Sequence, residues 1–366
     1  MRNEINALQE NDTWNIVDLP LGKHTIGCKC VYKIKRHSDG SIERYKARLV
    51  AKGYTQEEGL DYHETFAPVI KMTTIRTVLK IAASKHWPLF QMDVNNAFLH
   101  GTLDEEVYMT LPPGHSSLYK GQKKVCKLKK SLYGLKQASR QWFSKFTESI
   151  ESFGFKQSLH DYSLFTYDKG DIFLILLVYV DDVVITGTST NSIQQVKDFI
   201  HATFKIEDLG LLKYFLGIEV ARSASGIFIN QRKYAMDLLT DAGMLDCKPA
   251  VTHMDTKHKL GLSEAELLPD PTAYRRLIGR LIYLTVTRPD LAYSIHILSQ
   301  FMSKPTSDHL TAAHRVLRYI KAAPTQGLFL TSQPRLDLQA YCGADWLLAQ
   351  SPGGLSLAFV CSLAHP

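Results

Sequence analysis

Two kinds of hydrophobic spacing alternate along the chain, and together they predict an α+β fold. Apolar residues recur every three or four positions in Thr73–Lys85, Ser139–Phe153 and Ser192–Phe204, which is typical of helices with one buried face. Continuous apolar runs of strand length occupy Leu89–Val94 and Phe173–Ile185 instead. Two adjacent aspartates interrupt the second run, which predicts a hairpin with a tight turn at that point.

The segments before this region have the pattern of strands, and those after it have mainly the pattern of helices. Gly27–Arg36 and Ile42–Lys52 are β-rich and basic, and Ser38-Asp39-Gly40 between them is a hairpin signal. A last strand-like segment covers Leu336–Tyr341. Mixed strands and helices up to Arg222, followed by a run of helices, indicate an α+β catalytic region and then a helical lobe. The predicted helices of that lobe are Lys233–Ala242, Tyr274–Thr287, Leu291–Met302 and Ser307–Ala322.

The net charge of +7 is unevenly distributed along the chain. Between Glu106 and Glu148 there is no acidic residue, and aromatic residues are interleaved with the basic ones. A solvated basic face and a surface that binds phosphates and stacks on bases both fit this stretch. For Tyr133, Trp142 and Tyr319 taken singly, helical spacing favours core packing over base stacking. A second basic group can also be either a solvated face or a surface that binds nucleic acid. It consists of His309, His314, Arg315, Arg318 and Lys321.

Several other classes of protein are excluded by composition. The longest apolar run, Ile172–Val180, is too short to span a bilayer, and the first residues contain no apolar signal core. Six scattered cysteines do not form a disulfide framework. We therefore expect a globular protein without a membrane partner.

Carboxylates at the ends of apolar strands are the strongest chemical signal. Asp93 closes the strand Leu89–Val94, and Asp181 and Asp182 lie between two apolar runs. Uncompensated charges in so apolar a setting are costly, and divalent cations are the hard ions that carboxylate oxygens bind best. Phosphoryl transfer that is assisted by two such cations requires carboxylate oxygens held in place by a rigid sheet. A plain turn is the alternative for the aspartate pair.

The motif Tyr-Val-Asp-Asp at 179–182 resembles the active-site hairpin of reverse transcriptases, and further motifs resemble the form found in copia-type LTR retrotransposons. They follow one another in the order of that family. Each is a weak signal alone, but together they are specific. These motifs are Tyr45–Gln56, Glu64–Val69, Gln91–Gly101, Ser131–Ala138, Lys213–Glu219 and Tyr274–Gly279.

The resemblance implies a metal site and a reaction. Asp93, Asp181 and Asp182 would bind two Mg²⁺ ions, with Mn²⁺ as a substitute, and Asp181 would be the more direct ligand of the pair. Val94 would offer its backbone carbonyl. The reaction would be RNA-directed DNA polymerisation, with an RNA or DNA template, a primer and deoxynucleoside triphosphates as partners.

The resemblance also implies residues that bind the nucleotide. Phe98 would block a ribose 2′-hydroxyl, although core packing is compatible with the same position. Lys46 and Arg48 would bind the triphosphate; an exposed strand of alternating charge is the alternative. Gln137 would line the nucleotide pocket, and Leu212–Gly217 would seat the primer terminus.

The implied architecture is a right hand, an α+β polymerase fold. Residues 1–222 would form fingers and palm, residues 223–332 thumb and a helical connection, and residues 333–366 a truncated, degenerate ribonuclease H-like start. Because Gly343 stands where relatives carry the first catalytic aspartate of that domain, we expect no ribonuclease H activity. Residues 347–366 match no family pattern, which suggests a frameshift. The family works in cytoplasmic particles.

Two alternatives to an active reverse transcriptase remain at the level of the sequence. One is an inactive remnant that only binds nucleic acid. The other is a cellular or DNA-templated polymerase of the same palm type, which the copia-type motifs at 45–56 and 131–138 disfavour.

Overall fold

The computed structural model describes residues 2–36, 41–113, 124–255, 260–262, 265–333, 337–345 and 356–364. The predicted turn at 38–40, the basic stretch from Gly114 to Lys123 and most of residues 347–366 lie outside them. The elements up to Leu211 are α1 (Arg2–Glu10), β1 (Trp14–Asp18), β2 (Cys28–Arg36), β3 (Ile42–Ala51), α2 (Met72–Ser84), β4 (Leu89–Val94), β5 (Tyr108–Thr110), β6 (Lys124–Leu128), α3 (Ala138–Phe153), β7 (Lys156–Gln157), β8 (Leu164–Lys169), β9 (Ile172–Tyr179), β10 (Asp182–Gly187), α4 (Thr190–Phe204) and β11 (Ile206–Leu211).

The chain forms two compact units. The first comprises the described residues up to Thr74 together with Pro88–Leu211, and the second comprises Ile75–Trp87 and the described residues from Leu212 onward. The predicted helices α2, α3 and α4 and the predicted β9–β10 hairpin are confirmed to within two residues at each helix end. The predicted mixture of helices and strands is confirmed as well.

A six-stranded antiparallel sheet in the order β11-β4-β10-β9-β8-β7 is the centre of the first unit. Side chains alternate between the two faces of each strand. Met92 and Val94 of β4 therefore join α3 and α4 in one buried core, with Trp142, Phe146 and Phe204 among its aromatic members. Gln91 and Asp93 lie on the other face of β4. The alternation of β4 thus separates its polar residues from this core, while the neighbouring strands place the buried apolar residues Val184 and Leu177 on the same face as Gln91.

The basic strands β2 and β3 form a separate two-stranded hairpin in the first unit. Its base is fixed because the Ala51 amide donates to the Tyr133 carbonyl at 2.7 Å. Leu49 and Ala51 are buried in a second core with Leu132 and Leu135. A three-stranded sheet, β1-β6-β5, contributes Met109, Cys126 and Leu128 to the same core.

The second unit combines a four-stranded antiparallel sheet with helices. Its core consists mainly of apolar residues from the four helices that follow the first three strands. The predicted helices of this lobe are confirmed, although Leu291–Met302 is shorter than expected. No helix of the described residues is long and apolar enough to cross a membrane. The elements are β12 (Tyr214–Phe215), β13 (Ile218–Ser223), β14 (Gly226–Asn230), α5 (Arg232–Asp241), α6 (Thr272–Leu284), α7 (Ala292–Ser299), α8 (Ser307–Ala322), β15 (Gly327–Thr331), β16 (Asp337–Asp345) and β17 (Ser356–Ala364), and the last two pair with each other.

The basic face of α8 has a structural role that neither sequence interpretation anticipated. Arg318 donates to the Lys248 carbonyl at 2.7 Å, and Lys321 donates to the Cys247 carbonyl at 2.7 Å. Arg315 bonds the carbonyl and the hydroxyl of Thr252. These basic side chains therefore hold the segment 247–252 against the helix through hydrogen bonds to its backbone carbonyls and to the Thr252 hydroxyl.

His309 is buried at the start of α8 and acts as a hydrogen-bond acceptor there. Its Nδ1 accepts from the Thr306 backbone N–H at 2.8 Å, so Nδ1 carries no proton. The ring stacks on Phe301 at a centroid distance of 4.0 Å, and burial lowers the pKa of His309. The remaining nitrogen, Nε2, lies 3.2 Å from the Leu260 carbonyl. The fold therefore requires the neutral ring.

We expect the free energy of unfolding to fall as the pH is lowered below about 6.5, the ordinary histidine pKa. A group whose folded pKa is depressed binds more protons in the unfolded state, so acid favours unfolding. His309→Gln should keep the capping acceptor and reduce this dependence, since glutamine is a common residue at that position and does not titrate. Denaturant unfolding at pH 5 to 8 measures it. The exposed His296→Gln serves as control, and an unchanged pH dependence in His309→Gln would contradict the assignment.

Candidate active site

Three of the sequence-predicted carboxylates come together at one end of the central sheet. Strands β4 and β10 pair so that Asp93 lies directly opposite Asp182. Asp181 occupies the two-residue turn between β9 and β10, and its carbonyl accepts from the Val94 amide at 2.8 Å. Directly opposite residues share a face, with Cβ atoms about 4.5–5.5 Å apart. Asp93 and Asp182 therefore face the same side of the sheet.

The turn that carries Asp181 has an unusual backbone. Val180 has φ of 56°, in the left-handed region that β-branched residues rarely adopt. The indole N–H of Trp142 donates to the Val180 carbonyl at 2.5 Å. Since Trp142 belongs to the buried core that α3 and α4 share, this bond connects the turn to that core. The hydrogen bond from Trp142 thus stabilises the strained turn and helps to fix the positions of Asp181 and Asp182.

The electrostatics of the cluster favour a cation. Burial raises the pKa of Asp93, and the charges of Asp181, Asp182 and Glu207 raise it further, while Lys46 acts in the opposite direction. Burial likewise raises the pKa of Asp182. Negative charges that raise the pKa of a neighbouring carboxyl are costly to hold together without a cation.

The fit of this donor set to divalent cations can be judged from the side chains present. Among the described residues, no group of three or more His, Cys, Asp or Glu side chains converges closely enough to hold a metal ion as it stands. The carboxylates are nevertheless hard oxygen donors, half-buried and electrostatically coupled. Carboxylate oxygens are the donors that Mg²⁺ and Mn²⁺ accept, so the chemistry of this donor set fits these cations.

The basic hairpin places its charges beside these carboxylates. Lys46 and Arg48 are two residues apart on β3 and therefore share a face. The guanidinium of Arg48 lies over the ring of Tyr133, 4.4 Å from its centroid. The ring of Phe98 meets the same tyrosine edge-on at 5.0 Å. Burial raises the pKa of Tyr133, and Asp181 and Asp93 are among the charges that raise it further, so this aromatic group lies next to the cluster.

Gln137 is placed differently from the other predicted residues. Its side chain is fully buried, its Nε2 donates to the Asp61 carbonyl at 2.9 Å, and its Oε1 accepts from Gln56 at 3.0 Å. Gln56 in turn accepts from the Lys136 amide at 2.8 Å. The amide of Gln137 therefore links the start of α3 to the segment after β3 and does not face solvent.

Comparison with known proteins identifies the family. Residues 11–256 match the family model described as reverse transcriptase (RNA-dependent DNA polymerase). The chain belongs to the reverse transcriptase family. It is 48% identical over 347 residues to the retrovirus-related Pol polyprotein from transposon RE2 of Arabidopsis thaliana, covering 94% of this chain. It is 38% identical over 356 residues to the Pol polyprotein from transposon TNT 1-94 of Nicotiana tabacum, again covering 94% of this chain.

The resemblance to copia-type Pol polyproteins is thereby confirmed. The chain spans about a quarter of the length of these relatives, 24% for RE2 and 27% for TNT 1-94. A shorter relative, the mitochondrial protein AtMg00810 of Arabidopsis thaliana, is 42% identical over 173 residues, which is 72% of its own length.

Sequence reasoning missed three residues of this candidate site. Gln91 is buried and donates to Asp182 at 3.1 Å, which opposes the rise in the pKa of that carboxyl. Its position two residues before Asp93 could have indicated a shared face. The local pattern at Tyr133 favours core packing, and nothing in the pattern around Glu207 singles it out. Their proximity depends on the strand pairing, which the local pattern does not contain.

Proposed function

We propose that this chain is an RNA-directed DNA polymerase that adds deoxynucleotides to a primer 3′-hydroxyl, with Asp93, Asp181 and Asp182 as the residues that hold two divalent cations. The observation that carries the proposal is the placement of Asp93 opposite Asp182, both with raised pKa values, beside the basic hairpin. Membership of the reverse transcriptase family supports the same reaction. Bound Mg²⁺ would activate the attacking hydroxyl and neutralise charge on the triphosphate.

The residues around the carboxylates have separate tasks in this proposal. Lys46 and Arg48 bind the phosphates of the incoming nucleotide, because the guanidinium of Arg48 matches phosphate geometry and the ammonium of Lys46 attracts phosphate as a point charge. Tyr133 orients Arg48 through its ring face. Gln137 acts as a positioning residue, since its amide is bonded within the protein. The backbone carbonyl of Val94 is a further oxygen donor at the end of β4.

In this proposal the right-hand architecture assigns the central sheet with α3 and α4 to the palm. The β2–β3 hairpin belongs to the fingers, and the helical second unit contains the thumb and connection. The β12–β13 hairpin, whose turn residues Leu216 and Gly217 have φ of 50° and 75°, seats the primer terminus.

Primer extension tests the proposal. The purified chain is given a DNA primer annealed to an RNA template, Mg²⁺ and deoxynucleotides, with a chelator in a parallel reaction and a DNA template in another. We expect extension on RNA that the chelator abolishes. A folded chain that binds template-primer and extends neither template would instead be a remnant that only binds nucleic acid. Extension on DNA alone would indicate a DNA-templated polymerase.

Phe98 offers a prediction on sugar selection. Phe98→Val should increase ribonucleotide incorporation relative to deoxynucleotide incorporation by about tenfold to a hundredfold, because steric discrimination in an apolar pocket is worth about 1–3 kcal/mol. Single-nucleotide extension with matched ribo- and deoxynucleotides measures the ratio. Phe153→Leu, a core change at the far end of α3, is the control. An unchanged ratio in Phe98→Val would assign Phe98 to packing only.

A further inference from the structure

A row of three carboxylates crosses three adjacent strands of the central sheet. Glu207 of β11 lies directly opposite Asp93 of β4, and Asp93 lies directly opposite Asp182 of β10. Directly opposite residues of paired strands share a face, with Cβ atoms about 4.5–5.5 Å apart. Glu207 therefore extends the row of the candidate active site by one strand.

The direction of Glu207 is fixed by contacts on the other side of β11. The next residue, Asp208, accepts from the buried ammonium of Lys197 on α4 at 2.8 Å. Its other oxygen accepts from the Gly210 amide at 2.9 Å, where the register with β4 shifts. Because neighbouring side chains alternate, an Asp208 that faces α4 requires Glu207 to face the carboxylates.

Glu207 is costly in this position if the site holds no cation. Like charges directly opposite each other destabilise a pair of strands. Glu207 is exposed, and no Lys, Arg or His of the described part of the chain lies within 4.0 Å of its carboxylate. Its charge also adds to the effects that disfavour ionisation of Asp93. The row of carboxylates therefore has an electrostatic cost: Lys46 opposes it at Asp93, and no basic side chain of the described residues forms an ion pair with Glu207.

We propose that Glu207 is a fourth carboxylate of the cation site, one that acts on the water shell of the divalent cation next to Asp93 and raises the affinity of the site. This inference rests on the proposed function. Mg²⁺ dehydrates reluctantly and keeps several waters, so a carboxylate one strand away from a ligand can accept hydrogen bonds from them. The exposure of Glu207 and its place on the edge strand β11 suit this outer position.

Mn²⁺ binding without nucleotide or nucleic acid tests the inference. Free Mn²⁺ is followed by electron paramagnetic resonance as the full chain is titrated. We expect Glu207→Gln to bind Mn²⁺ about tenfold more weakly, the lower end for loss of an outer partner of a metal ligand. Glu207→Asp, which keeps the charge, should lie between Glu207→Gln and the wild type. Asp198→Asn is the matched control, because it removes one charge from an exposed position on α4 of the same unit.

The outcomes separate this inference from the proposed function. If Glu207→Gln binds Mn²⁺ as tightly as the wild type and Asp198→Asn, Glu207 has no part in cation binding, and the proposed function is untouched. If the folded wild type itself binds no Mn²⁺, the inference fails, and primer extension decides the proposed function separately. In primer extension, Glu207→Gln should raise the Mg²⁺ concentration at half-maximal rate. A merely structural role would lower the midpoint of thermal unfolding and leave that Mg²⁺ concentration unchanged.

Discussion

Replacing Asp93 with asparagine is expected to abolish primer extension without lowering the free energy of unfolding. The charged form of Asp93 is disfavoured by burial and by the charges of its neighbours, so the folded protein is destabilised by ionising it. Asparagine is nearly the same size and removes that charge. Stability at pH 7 should therefore stay the same or rise, because a raised folded pKa means that the ionised group opposes folding above that pKa.

The expected loss of activity is large. A carboxylate that holds a catalytic cation contributes several kcal/mol to the stabilisation of transition-state charge, and each 1.36 kcal/mol is a factor of ten in rate. Extension by Asp93→Asn should fall by at least about a thousandfold. The Asp181→Asn, Asp182→Asn double variant should do the same. Its fold should be kept, since the amide oxygen that replaces the Asp182 carboxylate can still accept from Gln91.

A charge-matched variant distinguishes this result from a general effect of charge. Asp168 is exposed on β8, three strands away from β4 in the same sheet, so Asp168→Asn should keep full activity. Template-primer binding by all variants is measured by filter retention. Residual extension above about one per cent in Asp93→Asn would contradict a role in holding the cation, because it corresponds to a contribution below about 3 kcal/mol.

The elements of this site were predictable from the sequence because their signals are local. The strand Leu89–Val94 and the β9–β10 hairpin follow from short apolar runs, and Asp93, Asp181 and Asp182 stand where those runs end. A strand boundary depends on a few neighbouring residues, so these predictions are accurate. The family motifs added the reaction, which spacing alone does not contain.

The partners of those residues could not be predicted, because they come from strand pairing at long range. Glu207 reaches Asp93 only through the pairing of β11 with β4, across 114 positions of the chain (207 − 93). The basic face of α8 shows a second limit. Arg318 and Lys321 have the composition of a phosphate-binding surface, yet backbone carbonyls of a neighbouring segment satisfy them. Composition does not distinguish a basic side chain that binds phosphate from one that bonds to backbone carbonyls of its own protein.

Gly134→Ala is expected to be one of the most destabilising single-methyl substitutions in the first unit. Gly134 has φ of 92°, outside the range that residues with a side chain readily adopt. A Cβ there would overlap the carbonyl oxygen of Ala51 and lie 2.7 Å from Val50 Cγ1. Since Ala51 and Val50 end the strand that carries Lys46 and Arg48, the backbone would have to move at the base of the basic hairpin.

Backbone strain and overlap together should cost about 3 kcal/mol or more. Gly170→Ala separates the two effects, because Gly170 also has a positive φ, 64°, but open space around its Cβ position. It should cost only about 1–2 kcal/mol. Urea unfolding measures both variants. Equal losses would show that the close approach of Gly134 to Ala51 contributes nothing.

The same variant connects stability with nucleotide binding. The Ala51 amide donates to the Tyr133 carbonyl, and the ring of Tyr133 holds Arg48, so a displaced Gly134 disturbs both anchors of the hairpin at once. In the fraction of Gly134→Ala that remains folded, the KM for deoxynucleotide should therefore increase by a larger factor than the Kd for template-primer. In Gly170→Ala, whose turn lies between β8 and β9, the KM should not change. A Gly134→Ala protein with normal KM would show that the hairpin keeps its place without this contact.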